Sequence, residues 1–198
     1  MPVPLVLASS SPRRREILSS LGLVFTIAHA DLDETPFPGE SAHDAALRLA
    51  REKADKVSAQ YPAALVVGAD TLVTLDGNIL GKPDDAAHAE EMLVQLAGRA
   101  HEVVTGVAVK KADEGFGDSG IGRSTVVFKA LSREEIARYA ASGEPVGKAG
   151  AYAIQGLGGA LIERYDGSYS NIVGLPVTEL LRLLMGFGVD RLEWADPA

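Results

Sequence analysis

Residues 3–22 have the sequence VPLVLASSSPRRREILSSLG, which predicts a buried strand that passes directly into a helix. The apolar run Val3–Ala8 has the length of a buried strand. Ser11 is a favourable N-cap and Pro12 a favourable first helical residue, while Gly22 is placed to end the helix. The apolar stripe of this helix is Ile17, Leu18 and Leu21. A strand followed at once by a helix is the basic unit of an α/β fold.

The same alternation of strands and helices continues along the rest of the chain. Further strands are predicted at Val24–Ala28, Ala64–Gly68, Glu102–Val109, Ser124–Leu131, Tyr152–Gln155 and Ala160–Tyr165. Helices are predicted at Ser41–Ala59, from a cap at Asp84 to Gly98, from a capping box at residues 132–135, and at Thr178–Phe187. The pair Asp76-Gly77 predicts a hairpin, and the Gly- and Asp-rich residues 112–122 predict a loop. Together these elements predict an α/β fold with a mixed sheet and flanking helices, built as a single domain over residues 1–198.

Composition and charge exclude several classes of protein. The 198 residues are 46% hydrophobic and include no cysteine, which excludes disulfides, thiolate nucleophiles and cysteine metal sites and fits a cytoplasmic location. The first eight residues are too short and uncharged for a signal peptide, and no apolar run approaches the roughly 20 residues of a membrane span. The net charge of −8 argues against nucleic-acid binding through a broad basic face. A polyanionic ligand therefore requires a local cluster of basic groups.

One such cluster lies at the turn between the first strand and the first helix. Ser9, Ser10 and Ser11 precede Pro12 and three consecutive arginines, residues 13–15. Arginines in the first turn of a helix oppose the helix dipole unless an anion binds there. Serine hydroxyls, free amides and guanidinium groups together suit a phosphate. The sequence is equally compatible with a solvated basic turn behind a serine cap.

Two groups of acidic residues are candidates for metal binding or proton transfer. Asp31, Asp33 and Glu34 follow the second strand, where acids commonly solvate a loop. Asp70 interrupts an apolar run and is placed at the end of a buried strand. A buried carboxylate requires a metal, a cation or backbone donors, so Asp70 is either a ligand to a cation or a turn-capping residue.

Three polar residues are candidates for ligand contact because of their positions. Lys53 falls in the apolar stripe of the long helix, where it either extends to the edge of the stripe or points into a cleft. Lys82 lies in a rigid setting between Gly81 and Pro83. Gln155 lies in a glycine-rich segment and is either an exposed loop residue or a reader of a base edge. The four histidines are scattered without the spacing of a metal site.

Taken together, eight segments resemble the Maf family of nucleotide pyrophosphatases, in the family's order and over nearly the whole chain. They are Leu7-Ala8-Ser9-Ser10-Ser11-Pro12-Arg13-Arg14, Asp33-Glu34, Lys53-Ala54, Gly68-Ala69-Asp70-Thr71, Gly81-Lys82-Pro83, Val104-Thr105-Gly106, Tyr152-Ala153-Ile154-Gln155-Gly156 and Asn171-Ile172-Val173-Gly174-Leu175-Pro176. The resemblance implies a Maf/ITPase-like fold with a nucleotide cleft between two lobes, whose boundary is not assigned, and a possible homodimer. It also implies an enzyme that hydrolyses a nucleoside triphosphate between the α- and β-phosphates, supported by a divalent cation such as Mg²⁺ or Mn²⁺.

The resemblance also implies roles for individual residues. It makes Asp70 the proton acceptor, with Glu34 a metal- or water-associated acid, and both are expected to hold the metal. The phosphate-contacting positions it implies are Ser9, Arg13, Arg14, Lys53 and Lys82. Arg13, Thr71 and Gln155 match positions that set substrate preference, and they look like the branch acting on dTTP and UTP. The alternatives are a preference for 7-methyl-GTP or modified nucleotides, or a nucleotide-binding regulator of septum formation that does not turn over.

Overall fold

The computed structural model of the chain describes residues 3–189; Met1 and Pro2, which begin the N-terminal segment considered above, lie outside the described residues. The strands are β1 Leu5–Ala8, β2 Thr26–Ala28, β3 Leu65–Leu75, β4 Asn78–Leu80, β5 Ala100–Lys111, β6 Phe116–Phe128 and β7 Ile162–Gly167. The helices are α1 Pro12–Ser20, α2 Ala42–Ser58, α3 Ala86–Leu96, α4 Arg133–Ala141, α5 Tyr169–Val173 and α6 Val177–Gly186. Short 3₁₀ turns lie at Ala149–Ala151 and Leu157–Leu161. Over residues 3–189, every helix is too short or too polar to cross a membrane.

Within the described residues, seven strands form one sheet in the order β2-β1-β3-β5-β6-β7, with β4 paired to β3. β1 is parallel to both of its neighbours, and the remaining pairs are antiparallel. The predicted mixed α/β fold with flanking helices is confirmed. The parallel pairing sets the carboxyl end of β1 beside the middle of β3, because Ala8 is in register with Gly68.

Alternation along β3 sends neighbouring side chains to opposite faces of the sheet. Val67 packs with the cluster that contains the apolar face of α6, whereas Val66 packs with the cluster that contains Val57 of α2. The position of Gly68 faces α2 so closely that an added Cβ would lie 2.2 Å from the carbonyl oxygen of Ala50. Because side chains two residues apart share a face, Asp70 also points to the α2 side.

The predicted helix Ser41–Ala59 is observed as α2, capped by Ser41. Its predicted apolar face is buried along its whole length, and Lys53 is buried with it at 4% exposure. Most of the other predicted helix caps and turns are also confirmed. Ser132 and Glu135 form the capping box of α4, and Asp76 and Gly77 turn the β3–β4 hairpin with positive φ angles.

The largest error concerns the predicted loop at residues 112–122. These residues mostly belong to β6, which runs from Phe116 to Phe128 and pairs with β5 over twelve residues of that strand. The glycines that indicated a loop instead let other elements approach the sheet. A Cβ on Gly122 would lie 2.5 Å from the side-chain oxygen of Asn171, and one on Gly120 would meet Glu179 of α6.

Smaller errors concern one cap and the bounds of several strands. Asp85 rather than Asp84 caps α3, accepting a hydrogen bond from the amide of His88 at 2.8 Å. The predicted strand Tyr152–Gln155 is irregular backbone that ends in a turn; the amide of Ala153 donates to the hydroxyl of Tyr139 at 3.2 Å instead of to a neighbouring strand. β3 continues past the predicted end at Gly68 to Leu75, so Asp70 lies in the middle of a strand rather than at its end.

A buried histidine packs within the core on the β5–β6 side of the sheet. The ring of His101 lies 5.1 Å from the ring of Phe128 and 5.4 Å from that of Tyr152. Its Nε2 is 2.9 Å from the hydroxyl of Tyr152, and its Nδ1 is buried without a partner among the described residues. Burial lowers the pKa of His101 to about 4. The folded protein therefore holds this side chain neutral.

This burial predicts a specific acid sensitivity. The unfolded chain binds a proton near pH 6.5, so the contribution of His101 to stability is complete above that pH and is lost as the pH falls toward 4. Urea unfolding of wild type between pH 7 and pH 4 should show a loss of roughly 2 to 3 kcal/mol that His101→Gln largely removes. His88→Gln, at an exposed histidine of α3, is the control and should keep the wild-type pH profile. If the free energy of unfolding fell equally with pH in wild type and in His101→Gln, His101 would not be the source of the acid sensitivity.

Candidate active site

The turn after β1 is organised by its own serines. The hydroxyl oxygen of Ser9 accepts a hydrogen bond from the amide of Ser11 at 3.2 Å. The side chain of Ser11 in turn caps α1, accepting from the amide of Arg14 at 3.5 Å, as the sequence predicts. Because β1 is parallel to β3, this turn and the following helix begin beside the middle of β3. The serine-arginine segment and Asp70 therefore lie on the same side of the molecule.

Arg14 is buried and its guanidinium group is held on three sides. Its Nε donates to the carbonyl oxygen of Gly174 at 2.8 Å, and its two terminal nitrogens donate to Ser9 Oγ at 3.1 Å and to Thr71 Oγ1 at 3.0 Å. Burial lowers the pKa of Arg14, although the charges of Asp70 and Glu34 oppose that shift. These contacts join the turn, β3 and the end of α5. Arg14 therefore holds these three parts of the site together, in addition to lining the cavity.

Arg13 differs from its neighbour in having a free head group. Among the described residues its guanidinium forms neither a hydrogen bond nor an ion pair, although it lines the same cavity. Burial lowers the pKa of Arg13, and the charges of Glu144 and Glu16 partly offset that effect. A half-buried guanidinium with its donors unused is available to an anion.

Lys53 joins the two acidic candidates of the sequence. Its Nζ lies 2.6 Å from Asp70 Oδ1 and 2.6 Å from Glu34 Oε1. Lys53 therefore does not extend to the edge of the stripe, and Asp70 is paired with a cation rather than capping a turn. An ammonium group has three donors, and two of them are taken by these carboxylates. The third remains for a ligand.

Glu34 also binds a second lysine. Its other oxygen, Oε2, is 2.6 Å from Nζ of the more exposed Lys82. Partial burial would raise the pKa of Glu34, but hydrogen bonds from Lys53 and Lys82 outweigh that effect and lower the pKa to about 2. Glu34 is therefore ionised at neutral pH. Of the three acids after β2, Glu34 alone lines the cavity. The carboxylate of Asp33 instead accepts a hydrogen bond from the amide of Thr35 at 2.9 Å.

These side chains line one cavity of about 470 Å³, a volume typical of small-molecule sites. Five cationic side chains and two carboxylates face it. The cations are Arg13, Arg14, Lys53, Lys82 and Lys148, and the carboxylates are Glu34 and Asp70. The cavity is therefore net positive in a chain whose net charge is −8. This is the local basic cluster that a polyanionic ligand requires.

The structure brings together most of the residues that the sequence singled out. Ser9, Thr71 and the charged residues that the family resemblance implies line the cavity, whereas Asp31, Asp33 and Gln155 do not. Gln155 is exposed on the turn that follows Ile154, which does line it. The hydroxyl oxygen of Thr71 accepts hydrogen bonds from Arg14 and, at 3.1 Å, from the hydroxyl of Thr105. Thr71 therefore helps to hold the guanidinium of Arg14 in place.

Sequence reasoning missed several residues that line the same cavity. Lys148 contributes a cation from the glycine-rich segment, and His29 lies on the loop after β2. An apolar part is formed by Val73, Val103, Tyr152, Ile154, Ile172 and Val173. Lys148 was detectable as a lysine among glycines, whereas the apolar part comes from four separate segments and has no signal in the sequence. The cavity thus combines a charged part with an apolar part.

The donor set fits a hard divalent cation bound together with a phosphorylated ligand. Asp70 and Glu34 each present an oxygen to the same ammonium, so both carboxylates reach one point in the cavity. Over residues 3–189, no third His, Cys, Asp or Glu joins them in a metal-binding group. Mg²⁺ is commonly held by one or two carboxylates and completed by water and phosphate oxygens, which matches two carboxylates beside a cluster of cations.

Comparison with known proteins gives close relatives along almost the whole chain. A protein of Myxococcus xanthus named dTTP/UTP pyrophosphatase is 52% identical over 190 residues, which cover 96% of this chain and 95% of that protein. Proteins with the same name from Hahella chejuensis and Symbiobacterium thermophilum are 50% and 49% identical, and the aligned parts cover 97% and 93% of this chain and 95% and 94% of theirs.

Among solved structures, the Ham1 protein of Staphylococcus aureus matches with a TM-score of 0.46 at 14% identity, over 63% of this chain and 71% of that one. A HAM1 protein of Coxiella burnetii matches with a TM-score of 0.44 at 16% identity, over 65% and 74%. The family described as Maf-like protein matches residues 4–187, which include every residue of the cavity. The chain belongs to the Maf family.

Proposed function

We propose that this protein is a nucleoside triphosphate pyrophosphatase that acts on dTTP and UTP and releases the monophosphate and pyrophosphate. The observation that carries the proposal is the ammonium of Lys53, held between Asp70 and Glu34 in a net-positive cavity. A site that only binds a polyanion has no use for two carboxylates beside it. Relatives that are 45–52% identical and carry the name dTTP/UTP pyrophosphatase support the same reaction and substrates.

The proposed reaction is an attack of water on the α-phosphorus. A bond forms between the water oxygen and that phosphorus, the bond to the bridging oxygen breaks, and pyrophosphate leaves with the electron pair. Asp70 orients the water and accepts its proton. Lys53 holds Asp70 in place by one donor and offers its third donor to a phosphate oxygen.

The remaining cations neutralise the charge that develops on the departing pyrophosphate. Arg13 has free donors for this purpose, and Lys82 and Lys148 also line the cavity. A divalent cation held by Asp70 and Glu34 would supply further charge neutralisation and would favour deprotonation of water. Nucleoside triphosphates are used inside the cell, so the proposed location is the cytoplasm; the single domain and the homodimer stay predictions.

The apolar part of the cavity is the proposed site of the base. Ile154 lines it, and the exposed turn at Gln155 follows directly. A glutamine amide can pair with the imide edge of thymine or uracil through one donor and one acceptor. Such pairing at the mouth of the cavity requires Gln155 to turn inward over the bound base.

A substrate panel tests the proposal. We expect dTTP and UTP to give the highest kcat/KM in a set that includes GTP, CTP and 7-methyl-GTP, with pyrophosphate and orthophosphate assayed separately. Loss of a paired donor or acceptor costs about 1–3 kcal/mol, which sets the expected discrimination at roughly 5- to 150-fold. Orthophosphate and a diphosphate as main products would exclude the pyrophosphatase, and 7-methyl-GTP as best substrate would exclude the dTTP/UTP assignment.

A further inference from the structure

The loop that carries Glu34 has little of its own to hold it in place. Of residues 31–40, all of which the structure describes, none is fully buried and none belongs to a helix or strand. One backbone hydrogen bond lies within this segment, from the amide of Glu40 to the carbonyl of Phe37. A segment with so little buried surface and so few backbone hydrogen bonds opens easily. Its position must therefore come from side-chain contacts with neighbouring elements.

Arg48 of α2 makes most of those contacts. Its guanidinium forms a two-pronged pair with Glu40, from Nε at 2.7 Å and from a terminal nitrogen at 2.8 Å. The same terminal nitrogen donates to the carbonyl oxygen of Thr35 at 3.3 Å. The guanidinium also lies over the ring of Phe37, 3.9 Å from its centre. The side chain of Arg48 thus contacts three residues of the loop: Thr35, Phe37 and Glu40.

The Arg48–Glu40 pair is better shielded than an ordinary surface ion pair. The side chain of Arg48 is 19% exposed and that of Glu40 11% exposed. The carboxylate of Glu40 also accepts from the amide of Phe37 at 2.9 Å, which closes the turn of the loop. Glu52, one turn further along α2, keeps a remaining nitrogen of Arg48 in place at 3.2 Å. A two-pronged arginine-carboxylate pair of this kind fixes orientation as well as distance.

Arg48 differs from the two lysines that contact Glu34 in the same loop. Lys53 and Lys82 contact Glu34 but also line the cavity, where a phosphate competes for them. Arg48 and its partner Glu40 do not line the cavity. A bound polyanion is therefore expected to compete for the two lysines and to leave the Arg48–Glu40 pair intact.

We infer that Arg48 is a positioning residue, which clamps the loop of residues 31–40 onto α2 and so sets Glu34 at the cavity. The inference rests on the proposed function for its catalytic consequence, but not for the clamp itself. A residue moved by about 1 Å can cost a reaction roughly 10²-fold in rate. Since Arg48 lies one and a half turns from Lys53 on one helix, α2 sets both partners of the Lys53–Glu34 contact.

The test compares Arg48→Gln with Arg51→Gln, a control on the same helix whose guanidinium instead contacts Ser119 of β6 at 2.9 Å. We expect Arg48→Gln to speed amide hydrogen exchange in residues 31–40 by at least about tenfold, with exchange in β3 and β5 unchanged. With dTTP and saturating Mg²⁺, kcat should fall roughly 10- to 100-fold, and the Mg²⁺ concentration for half-maximal rate should rise. Arg48→Lys should restore little, because a lysine cannot form the two-pronged pair.

Two outcomes would overturn the inference. One is wild-type exchange in residues 31–40 of Arg48→Gln, whatever happens to the rate. The other is faster exchange with kcat and Mg²⁺ dependence unchanged, which would make the clamp irrelevant to Glu34. Failure of the proposed function is a separate result, because a wild-type protein that releases no pyrophosphate still allows the exchange comparison.

Discussion

Asp70→Asn is expected to lower kcat for pyrophosphate release by roughly 10²- to 10⁴-fold, the range that loss of a general base produces. The substitution keeps the volume of the side chain and one oxygen that can accept from Lys53. It removes the charge that holds a metal or accepts a proton. Nucleotide binding should persist, because the cations of the cavity remain and one repulsive carboxylate is gone.

Rate and stability must be measured together to interpret this variant. The measurements are kcat at saturating divalent metal, and the melting temperature with and without dTTP. Asp76→Asn is the matched control, since this residue lies in the turn directly after the same strand, pairs with the exposed Arg99 and lies outside the cavity. Near-normal kcat in Asp70→Asn would remove Asp70 from the mechanism. Inactivity with a collapsed melting temperature would show that the Asp70–Lys53 pair serves the fold instead.

Gly68→Ala is expected to be strongly destabilising, because an added methyl group at this position has no room between β3 and α2. The added Cβ would lie 2.2 Å from the carbonyl oxygen of Ala50 and 2.7 Å from the amide of Ala54, both in the backbone of α2. Backbone atoms cannot rotate away as a side chain does, so the whole helix must shift. Overpacking typically costs about 1–3 kcal/mol in the free energy of unfolding, and a clash with the helix backbone places Gly68→Ala at the upper end of that range.

The control for this variant is Gly186→Ala, at the last residue of α6, where an added Cβ meets nothing within 4 Å. Urea unfolding should place Gly186→Ala within about 0.5 kcal/mol of wild type. Gly68→Ala should also lose activity under conditions where it stays folded, because a shifted α2 carries Lys53 away from Asp70. A Gly68→Ala protein with wild-type stability would show that α2 does not pack on β3 as described.

The sequence predicts elements whose stability depends on local chemistry. The cap at Ser11, the capping box at Ser132 and the hairpin at Asp76-Gly77 depend on a few adjacent residues, and all three are confirmed. The apolar period of α2 correctly placed Lys53 on the buried face. Gly120 and Gly122 of β6 were misinterpreted, because they admit α6 and α5, and those contacts lie about fifty to sixty residues away in the chain.

Most of the charged members of the site were predictable, but their pairing was not. Asp70 and Lys53 each stood out as a charge in an apolar pattern, which indicates that a partner is needed. That one ammonium contacts both Asp70 and Glu34 depends on three elements meeting in space. The burial of Arg14 likewise depends on Gly174, 160 residues away. The sequence around a basic residue therefore does not predict whether its side chain will be exposed to solvent or buried in the folded protein.

The parallel pairing of β1 with β3 also constrains the order in which the protein can fold. Leu5 pairs with Leu65, sixty positions further along the chain, so the segment between them must close as one loop, whereas β5 and β6 join through a turn of only four residues. Closing a long loop costs more chain entropy than closing a short one, which favours early formation of the β5–β6 hairpin and late docking of β1. The turn bearing Ser9 and the arginines is attached to β1 and arrives with it. An intermediate that still lacks β1 also lacks Ser9 and the two arginines of the cavity, so the proposed phosphate site is complete only after β1 has docked.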